Sequence, residues 1–506
     1  MEFNWKSLQN GSDIRGVALE GVPGENVNLD EKVVYQLAKA FFTWLKKQND
    51  GKRLKVAVGM DSRLSGPALK ASFIKGLSDQ GADVMDCDLA STPAMFMTTV
   101  TEPYLADGGV MLTASHLPFN RNGLKFFTSR GGLEKADISE ILDIAASETY
   151  LSDNSVGIIE DINFIDVYSK ILAEKIKKEV NDNQNYNQPL SGFKIVLDAG
   201  NGAGGFYAHK VLKELGADIN GSQFLEPDGN FPNHIPNPED EQAMQSICKA
   251  VKETGADLGI IFDTDVDRAA IVDNNANPVN RNELVALSAA IINEEHPGSV
   301  VVTDSITSDG LSWFINDYLK AKHHRFKRGY KNVINESVRL NETGKESWLA
   351  IETSGHAALK ENYFLDDGAY LVTKILIKMA RLKKDGKQLS TLIEALPKPA
   401  ESKEFRIKIE TEDFKEYGEK VIRDLGKFAD AKDDWKILPD NYEGIRVSCT
   451  DEIQKGWFLL RLSLHDPVIP LNIESDVVGG VDAIAEQLIG FFDEYKYLNF
   501  SVLKNR

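Results

Sequence analysis

The sequence predicts an α/β fold class: three tandem mixed-sheet α/β domains around a central cleft, followed by a smaller α+β C-terminal domain. The length of 506 residues is the first observation, because one hydrophobic core seldom serves more than about 250–300 residues. The second is a pattern that occurs three times, in which a β-branched strand runs into a polar loop that carries an aspartate. Its three copies are LKVAVGMDSR (54–63), FKIVLDAGNG (193–202) and SVVVTDSITSDG (299–310).

A predicted helix follows each copy of this pattern. Two of these helices, GPALKASFIKGLSDQGA (66–82) and GFYAHKVLKELGA (205–217), have a glycine near their ends, which is a helix stop signal. Strands that alternate with helices predict largely parallel sheets covered on both faces. In such sheets the loops at the carboxyl ends of the strands carry the chemistry.

The C-terminal region has a different pattern. Its segments read as an alternating strand, a helix, three consecutive strands and a final helix: 403–410, 411–429, 442–449, 456–466, 470–475 and 480–497. The segment EALPKPAESK (394–403), rich in proline and charge, is a predicted linker. The predicted domains are 1–157, 158–278, 279–397 and 398–506.

Composition and charge narrow the functional class. The chain has 42% hydrophobic and 27% charged residues, which is ordinary globular usage. The net charge of −19 argues against non-specific nucleic-acid binding, so an anionic substrate must meet a local cluster of Arg and Lys. No apolar run approaches the ~18 residues that a bilayer span needs, and the N-terminus lacks a secretion signal. We therefore expect a cytoplasmic protein, monomeric or homodimeric, that contacts neither membrane nor nucleic acid.

The three cysteines are predicted to be buried structural thiols. Cys87, Cys248 and Cys449 are far apart in the sequence and odd in number. They have no metal-type spacing, and an odd, scattered set fits a reducing compartment.

A first candidate site is the loop VMLTASHLPFNRNGLKFF (110–127). Ser115 and His116 follow an apolar strand, and Lys125 lies beyond a turn-forming NRNG. A serine is a poor nucleophile unless a base or a metal activates it. Ser-His in such a loop also fits a capping or turn role, so this motif alone leaves both interpretations open.

A second candidate site is GIIFDTDVDRAAIV (259–272). Asp263, Asp265 and Asp267 alternate directly after one apolar strand and before another. These carboxylates would repel one another unless a cation held them, and Mg²⁺ is the natural partner. A calmodulin-type calcium loop is excluded, because Arg268 and Asn274 stand where that loop needs glycine and glutamate. A solvated acidic turn is the alternative.

Two further loops offer groups for a sugar and a phosphate. In AIETSGHAALKENYFLDDGAY (350–370), Glu352, Ser354 and His356 could orient sugar hydroxyls, although Ser354 could equally cap a helix. In GWFLLRLSLHDPVIP (456–470), Arg461 and Ser463 form a plausible phosphate clasp, while a surface arginine on an edge strand is the alternative.

Together these motifs resemble the α-D-phosphohexomutases, the family of phosphoglucomutases and phosphomannomutases. The resemblance covers essentially the whole chain. It lies in TASHLPFNRNGLKFF, DTDVDR and ETSGH, and in three further segments: SDIRG (12–16), VGMDSRLSG (58–66) and PDGNFPNHIPNPED (227–240).

The resemblance implies a role for each candidate residue. Ser115 would carry the phosphoryl group, and its phosphate would share Mg²⁺ with Asp263, Asp265 and Asp267. Arg15, His116 and Arg268 would surround the phosphoserine, and Lys125 would be the general base or acid, which calls for burial and cationic neighbours. Substrate-binding residues would come from three loops: Glu352, Ser354 and His356; Gly329, Tyr330 and Lys331 within KRGYK (327–331); and Arg461, Ser463 and His465.

The implied reaction moves a phosphate between O1 and O6 of glucose or mannose through a bound hexose 1,6-bisphosphate. A closing fourth domain would clamp the other phosphate and exclude water. Two motifs depart from the family pattern. RLSLHDP (461–467) replaces Arg-x-Ser-(Gly or Asn)-Thr-Glu-Pro, and we expect His465 to replace the threonine contact. Ile351 stands where a glycine usually precedes the glutamate of the sugar loop. Three alternatives remain: a Mg²⁺-dependent sugar-phosphate phosphatase, a mutase of amino-sugar phosphates and a non-catalytic sugar-phosphate binder.

Overall fold

A computed structural model describes residues 3–49, 51–153, 155–463 and 466–504. The chain forms two compact units. The first unit comprises residues 1–280 and 354–391, and the second comprises 281–353 and 392–506.

The first part of the first unit holds two sheets and their helices. Its strands are β1 Gln9–Asn10, β2 Asp13–Val17, β3 Lys55–Met60, β4 Asp83–Leu89, β5 Gly108–Leu112, β6 Arg121–Thr128, β7 Gly131–Gly132, β8 Ile159–Asp161, β9 Ile195–Asp198, β10 Leu258–Phe262, β11 Ala269–Val272 and β12 Pro278–Val279. Its helices are α1 Glu31–Gln48, α2 Gly66–Gln80, α3 Thr92–Met97, α4 Lys135–Ser147, α5 Phe164–Val180, α6 Gly205–Tyr207 and α7 Glu241–Thr254.

Elements from the rest of the chain complete both units. Residues 281–353 form α8 Arg281–Glu295, β13 Val300–Thr303, α9 Asp309–Trp313, β14 Lys322–Arg325, α10 Tyr330–Glu342 and β15 Ser347–Ile351. Residues 354–391 return to the first unit with β16 Ala357–Leu359, β17 Leu365–Asp366 and α11 Gly368–Lys384. The C-terminal part has β18 Glu401–Ile409, α12 Phe414–Asp430, β19 Trp435–Ile437, β20 Ile445–Cys449, β21 Gly456–Leu460, β22 Val468–Ser475, α13 Gly480–Phe492, β23 Leu498–Asn499 and α14 Ser501–Lys504.

The first sheet is mixed rather than largely parallel. Its strand order is β1-β2-β6-β5-β3-β4-β8, with β7 paired to β6. Strands β3, β4, β5 and β8 run parallel, whereas β6 pairs antiparallel with β5 and β2. The reason is the connection between β5 and β6, which is shorter than the dozen or so residues that a parallel crossover needs. The candidate nucleophile loop is this short connection, at the carboxyl end of β5.

The other sheets follow the predicted division into α/β and α+β parts. In the first unit, β9 and β10 are parallel and β11 and β12 extend their sheet antiparallel. In the second unit, β14, β13 and β15 are parallel. The C-terminal sheet is antiparallel, in the order β19-β20-β21-β22-β18-β23. The predicted fold class, three mixed-sheet α/β domains and an antiparallel C-terminal domain, is confirmed.

The predicted strands and helices correspond to observed ones. The three repeated patterns form β3, β9 and β13. Gly81, at φ +104°, ends α2 as predicted, and a π-helical segment, Ala208–Leu212, extends α6. The domain boundaries stay a prediction. No helix among the described residues is long and apolar enough to cross a membrane.

Two of the three cysteines agree with the prediction of buried thiols. Cys87 and Cys449 are buried, whereas Cys248 is only partly buried. Burial raises the pKa of the Cys87 thiol to about 12, so the unreactive thiol form dominates at neutral pH.

Candidate active site

Ser115 occupies a strained turn between β5 and β6. Its φ is +51°, a conformation that costs a non-glycine residue roughly 1–3 kcal/mol and that clusters at functional sites. The side chain of Thr113 stabilises the turn, because its Oγ1 accepts a hydrogen bond from the Ser115 amide at 2.8 Å. Ser115 is buried, so the turn presents a hydroxyl to the interior and not to bulk water.

The Arg63 guanidinium is hydrogen-bonded to the backbone of this turn. It donates to the backbone carbonyls of Ser115 and Leu117, the latter at 2.7 Å, and also to those of Pro118 and Arg121 at 2.8 and 3.0 Å. Asp61 in turn accepts from Arg63 Nε at 3.2 Å. We assigned no role to Arg63 from the sequence, although it belongs to the VGMDSRLSG motif that carried the resemblance.

Arg15 approaches the same turn from β2. Its Nη1 donates to the carbonyl of Ala114 at 3.4 Å, and its Nη2 donates to Asp13 at 3.2 Å. The antiparallel pairing of β2 with β6 brings it there. Arg15 therefore lies beside Ala114, the residue that precedes Ser115.

The three predicted metal ligands form a buried carboxylate cluster between β10 and β11. Oxygen atoms of Asp263, Asp265 and Asp267 lie within 4.8 Å of one another. The intervening Val266 has φ +69°, an outlier for a β-branched residue. Burial, together with the two other carboxylates, raises the pKa of Asp263 well above its usual value. Such a set needs a positive charge.

The chemistry of this cluster fits a divalent cation. Asp265 Oδ1 and Asp267 Oδ1 are buried and have no hydrogen-bond partner among the described residues. Lys125 Nζ contacts the other oxygens of both, at 2.8 Å from Asp265. We expected cationic neighbours for Lys125. That expectation is wrong, because Lys125 Nζ lies against two carboxylates. Burial alone would raise the pKa of Asp267, but Lys125, His356 and Arg268 outweigh burial and lower it.

The Ser115 hydroxyl lies between the carboxylate cluster and a guanidinium. Its Oγ donates to Asp263 Oδ2 at 3.1 Å and accepts from Arg268 Nη2 at 3.0 Å. His116 Nδ1 lies 3.3 Å from the same oxygen. Burial, with Arg268 and Arg15 nearby, lowers the pKa of His116 to about 2. His116 is therefore a neutral imidazole.

Arg268 is held in place by one residue of its own loop and one residue of another segment. It donates to Asp263 Oδ2 at 3.2 Å and to Asn237 Oδ1 at 3.1 Å. Asn237 belongs to PDGNFPNHIPNPED (227–240), one of the segments that carry the resemblance to the family, but no role was predicted for Asn237 itself. The acid cluster also has a contact that we did not predict: the Thr92 hydroxyl donates a hydrogen bond to Asp265.

The predicted sugar loop is divided between the two units. His356 and Ser354 belong to the first unit and Glu352 to the second. His356 Nδ1 pairs with Asp366 and lies 3.8 Å from Asp267 Oδ1. Burial would lower the pKa of His356, but Asp366 and Asp267 raise it to about 9. Ser354 Oγ is buried without a hydrogen-bond partner among the described residues.

The remaining predicted residues lie in the second unit. Glu352 Oε1 accepts from the Gly329 amide at 2.6 Å, and Tyr330 and Lys331 begin α10. Arg461 directly follows β21, and Ser463 Oγ accepts from the Asp466 amide at 3.3 Å. His465 lies outside the described residues.

A positioned hydroxyl, a guanidinium and carboxylates that could bind a metal are groups that phosphoryl-transfer sites use. The fold and the site therefore define an α/β phosphotransferase. Comparison with known proteins agrees. Three family models match, described as "Phosphoglucomutase/phosphomannomutase, alpha/beta/alpha domain" I, II and III, at residues 6–152, 168–304 and 280–400.

Relatives match over nearly the whole chain. A "Phosphomannomutase/phosphoglucomutase" of Pseudomonas syringae pv. tomato is 31% identical over 93% of this chain and 92% of its own. A "Phosphoglucomutase/phosphomannomutase" of Thermococcus kodakarensis is 30% identical over 91% and 93%. A solved "Phosphoglucomutase/phosphomannomutase family protein" of Burkholderia thailandensis has a TM-score of 0.78 and 26% identity, covering 97% of both chains. The chain belongs to the phosphoglucomutase/phosphomannomutase family, and it is an intramolecular phosphotransferase of the isomerase type.

Proposed function

We propose that the protein interconverts hexose 1-phosphate and hexose 6-phosphate, with glucose, mannose or both as the sugar. The observation that carries this proposal is the position of Ser115 Oγ, within 3.1 Å of both a carboxylate of the acid cluster and the Arg268 guanidinium. The names of the relatives above support the same substrate class.

In the proposed reaction Ser115 carries a phosphoryl group. A free sugar hydroxyl attacks that phosphorus, its new O–P bond forms, and the bond to Ser115 Oγ breaks. The sugar, then a 1,6-bisphosphate, returns its other phosphate to Ser115. Arg268 and Arg15 stabilise the charge on the transferred group, and the neutral His116 donates or accepts a hydrogen bond beside it.

We assign the metal position to Asp263, Asp265 and Asp267, which fit Mg²⁺ by ligand type and by two buried oxygens, on Asp265 and Asp267, that have no hydrogen-bond partner within the described part of the chain. When bound, Mg²⁺ neutralises charge on the phosphoryl oxygens. Lys125 is the proposed general base or acid for the attacking hydroxyl, a role that the resemblance to the family implies; its Nζ is buried and contacts carboxylates of the same acid cluster. Hexose 1,6-bisphosphate acts as activator when it phosphorylates Ser115.

The sugar would be bound by Glu352, Ser354 and His356 and by the loop with Gly329, Tyr330 and Lys331. Arg461 and Ser463 would bind the phosphate that is not transferred, with His465 as a further contact. Carboxylates suit sugar hydroxyls and guanidinium groups suit phosphates, which supports this division.

The test is phosphorus NMR of glucose 1-phosphate and mannose 1-phosphate, each with Mg²⁺ and a trace of the matching 1,6-bisphosphate. We expect a 6-phosphate signal from one sugar or both, and their kcat/KM ratio gives the sugar preference. Release of inorganic phosphate without any 6-phosphate would indicate a phosphatase. If neither sugar reacts, the proposed function is wrong.

A further inference from the structure

A buried histidine–aspartate pair lies at the carboxyl end of β9, in the first unit. His234 Nε2 is 3.0 and 3.1 Å from the two carboxylate oxygens of Asp198, and the side chains are 1% and 0% exposed. His234 belongs to PDGNFPNHIPNPED (227–240), the same segment that supplies Asn237. None of the roles assigned above to the candidate site uses this pair.

The hydrogen bonds of the His234 ring identify it as an imidazolium. Nδ1 is 2.9 Å from the Ile235 carbonyl oxygen, which can only accept, so Nδ1 carries a proton. Asp198 accepts from the Gly200 amide at one oxygen and from Gln223 Nε2 at the other, at 2.8 and 2.6 Å. Because both of its oxygens act as acceptors, Asp198 is an ionised carboxylate, and His234 Nε2 donates to it.

The charges that face His234 favour the same form. Burial would lower the pKa of His234, but the hydrogen bond and the charge of Asp198 and the Ile235 carbonyl outweigh burial and raise it. Asp240, the N-cap of α7, contributes in the same direction. The direction of the shift thus agrees with the two donated hydrogen bonds.

The imidazolium fixes the turn that carries Asn237. The Ile235 carbonyl that accepts from His234 Nδ1 also accepts from the Asn237 amide, at 2.8 Å. The turn packs against the end of β9, because an added Cβ at Gly200 would stand 2.8 Å from Pro236 Cβ. The backbone position of Asn237 therefore depends on the carbonyl that the His234 ring holds.

The Asn237 side chain connects this turn to the reacting group. Its Oδ1 accepts from the Glu239 amide at 3.0 Å and from Arg268 Nη1 at 3.1 Å. The other terminal nitrogen of the same guanidinium, Nη2, donates to Ser115 Oγ at 3.0 Å. A continuous series of hydrogen bonds thus leads from the buried charge pair to the Ser115 hydroxyl.

We propose that His234 is a positioning residue for phosphoryl transfer, held as an imidazolium by Asp198. It fixes the turn that presents Asn237, and Asn237 holds the Arg268 guanidinium where charge develops on the transferring group. This inference rests on the proposed function for the identity of the reaction. A shift of Arg268 by about 1 Å would slow the transfer step more than it would weaken substrate binding.

The first test is His234→Gln, which keeps a polar side chain and removes the positive charge. We expect kcat to fall by about tenfold to a hundredfold, as for a displaced catalytic group, with KM unchanged because the loss is confined to the transition state. The matched control is His209→Gln, an exposed histidine of the π-helical segment Ala208–Leu212 in the same unit, which should keep the wild-type kcat.

A double-mutant cycle separates positioning from a merely structural role. Asn237→Ala removes the link between His234 and Arg268. If His234 acts through Asn237, adding His234→Gln to Asn237→Ala lowers kcat no further, whereas independent effects would multiply. Multiplied effects overturn the proposal, and so does a folded His234→Gln protein with the kcat of wild type.

The second test requires no turnover. The Arg268 Nε–H resonance, identified in proton–nitrogen NMR by its loss in Arg268→Lys, should shift in His234→Gln and stay in place in His209→Gln. An unmoved resonance in His234→Gln overturns the proposal. Asp198→Asn keeps the shape of the partner and removes its charge, so it carries both tests if His234→Gln does not fold. Failure of the wild-type protein to isomerise either sugar would reject the proposed function alone, and the resonance would still decide the position of Arg268.

Discussion

Asp265 is the residue at which the metal assignment can be tested most directly. One of its oxygens accepts from Lys125 Nζ at 2.8 Å, and the other is buried without a hydrogen-bond partner among the described residues. Asp265→Asn keeps the shape and removes the charge. We expect Mg²⁺-dependent turnover to fall at least about a hundredfold, since even outer contacts of a metal site cost 10–100-fold, while circular dichroism stays unchanged.

The control for this substitution is Glu253→Gln. Glu253 is a 64% exposed carboxylate on α7, so it removes one negative charge from the same unit without touching the cluster. Full activity of Asp265→Asn across a Mg²⁺ titration would remove this loop from the metal site.

Glu474 predicts a pH dependence of stability in the second unit. Burial raises the pKa of Glu474 to about 7, although Trp457 Nε1 donates to it and Arg446 lies near. The fold thus favours the protonated acid, and stability falls as pH rises from the ordinary value of 4.5 towards 7. Glu474→Gln keeps the acceptor for Trp457 and should remove this loss, which is worth about 3 kcal/mol.

Urea unfolding at pH 5 and pH 8 measures this effect as the difference between the two proteins. Glu452→Gln, an exposed carboxylate on the turn before β21, is the control and should behave as wild type. An unchanged pH dependence in Glu474→Gln would mean that another group titrates.

At the scale of elements, the loop between β15 and β16 depends on Gly355. Its φ is +94°, and an added Cβ would stand 2.5 Å from the Ala269 carbonyl oxygen, which belongs to the backbone and cannot move cheaply. The same loop forms the backbone bridge between Arg268 and His356. We expect Gly355→Ala to lower the free energy of unfolding by more than about 1 kcal/mol, and to lower kcat/KM because Arg268 shifts.

Gly386→Ala is the matched control for Gly355→Ala. Gly386 belongs to the same unit and also has a positive φ, +67°, but an added Cβ would meet nothing within 4 Å. The difference in urea midpoint between the two variants therefore reports the close approach rather than the left-handed conformation. Equal midpoints would contradict our interpretation of this loop.

Elements were easier to predict from the sequence than contacts. Repeated strand-loop-helix patterns predicted β3, β9 and β13, because hydrophobic period and loop chemistry are local signals. The acid cluster was also local, since its three aspartates lie within five positions. The hydrogen bond from Arg63 to the Ser115 carbonyl joins residues 52 positions apart. Local sequence patterns carry no signal for such a pair.

The Lys125 environment shows a different limit. The sequence shows that Lys125 is cationic. Its neighbours depend on how β6 packs against the loop between β10 and β11, which the sequence does not show. Two carboxylates contact its Nζ, where the proposed role alone had led us to expect cations. A catalytic role therefore predicts the residue type better than it predicts the residue's neighbours.

At the scale of the whole molecule, charge sets a condition on the substrate. A net charge of −19 repels an anion over most of the surface. Arg15 and Arg268 in the first unit, and Arg328 and Arg461 in the second, are local exceptions. Each unit therefore has a local cationic position at which an anionic group can bind.

The complete cycle predicts where a labelled phosphate goes. If Ser115 carries ³²P and unlabelled glucose 1-phosphate is added in a single turnover, the label should leave Ser115 and appear on O6 of glucose 6-phosphate. The enzyme then holds the unlabelled phosphate from O1, because the second transfer returns that group to Ser115. Xylose 1-phosphate, which lacks the C6 hydroxyl, is the control and should not become labelled. Label released as inorganic phosphate in step with product would identify water as the acceptor, and label retained on Ser115 during turnover would exclude the phosphoserine route.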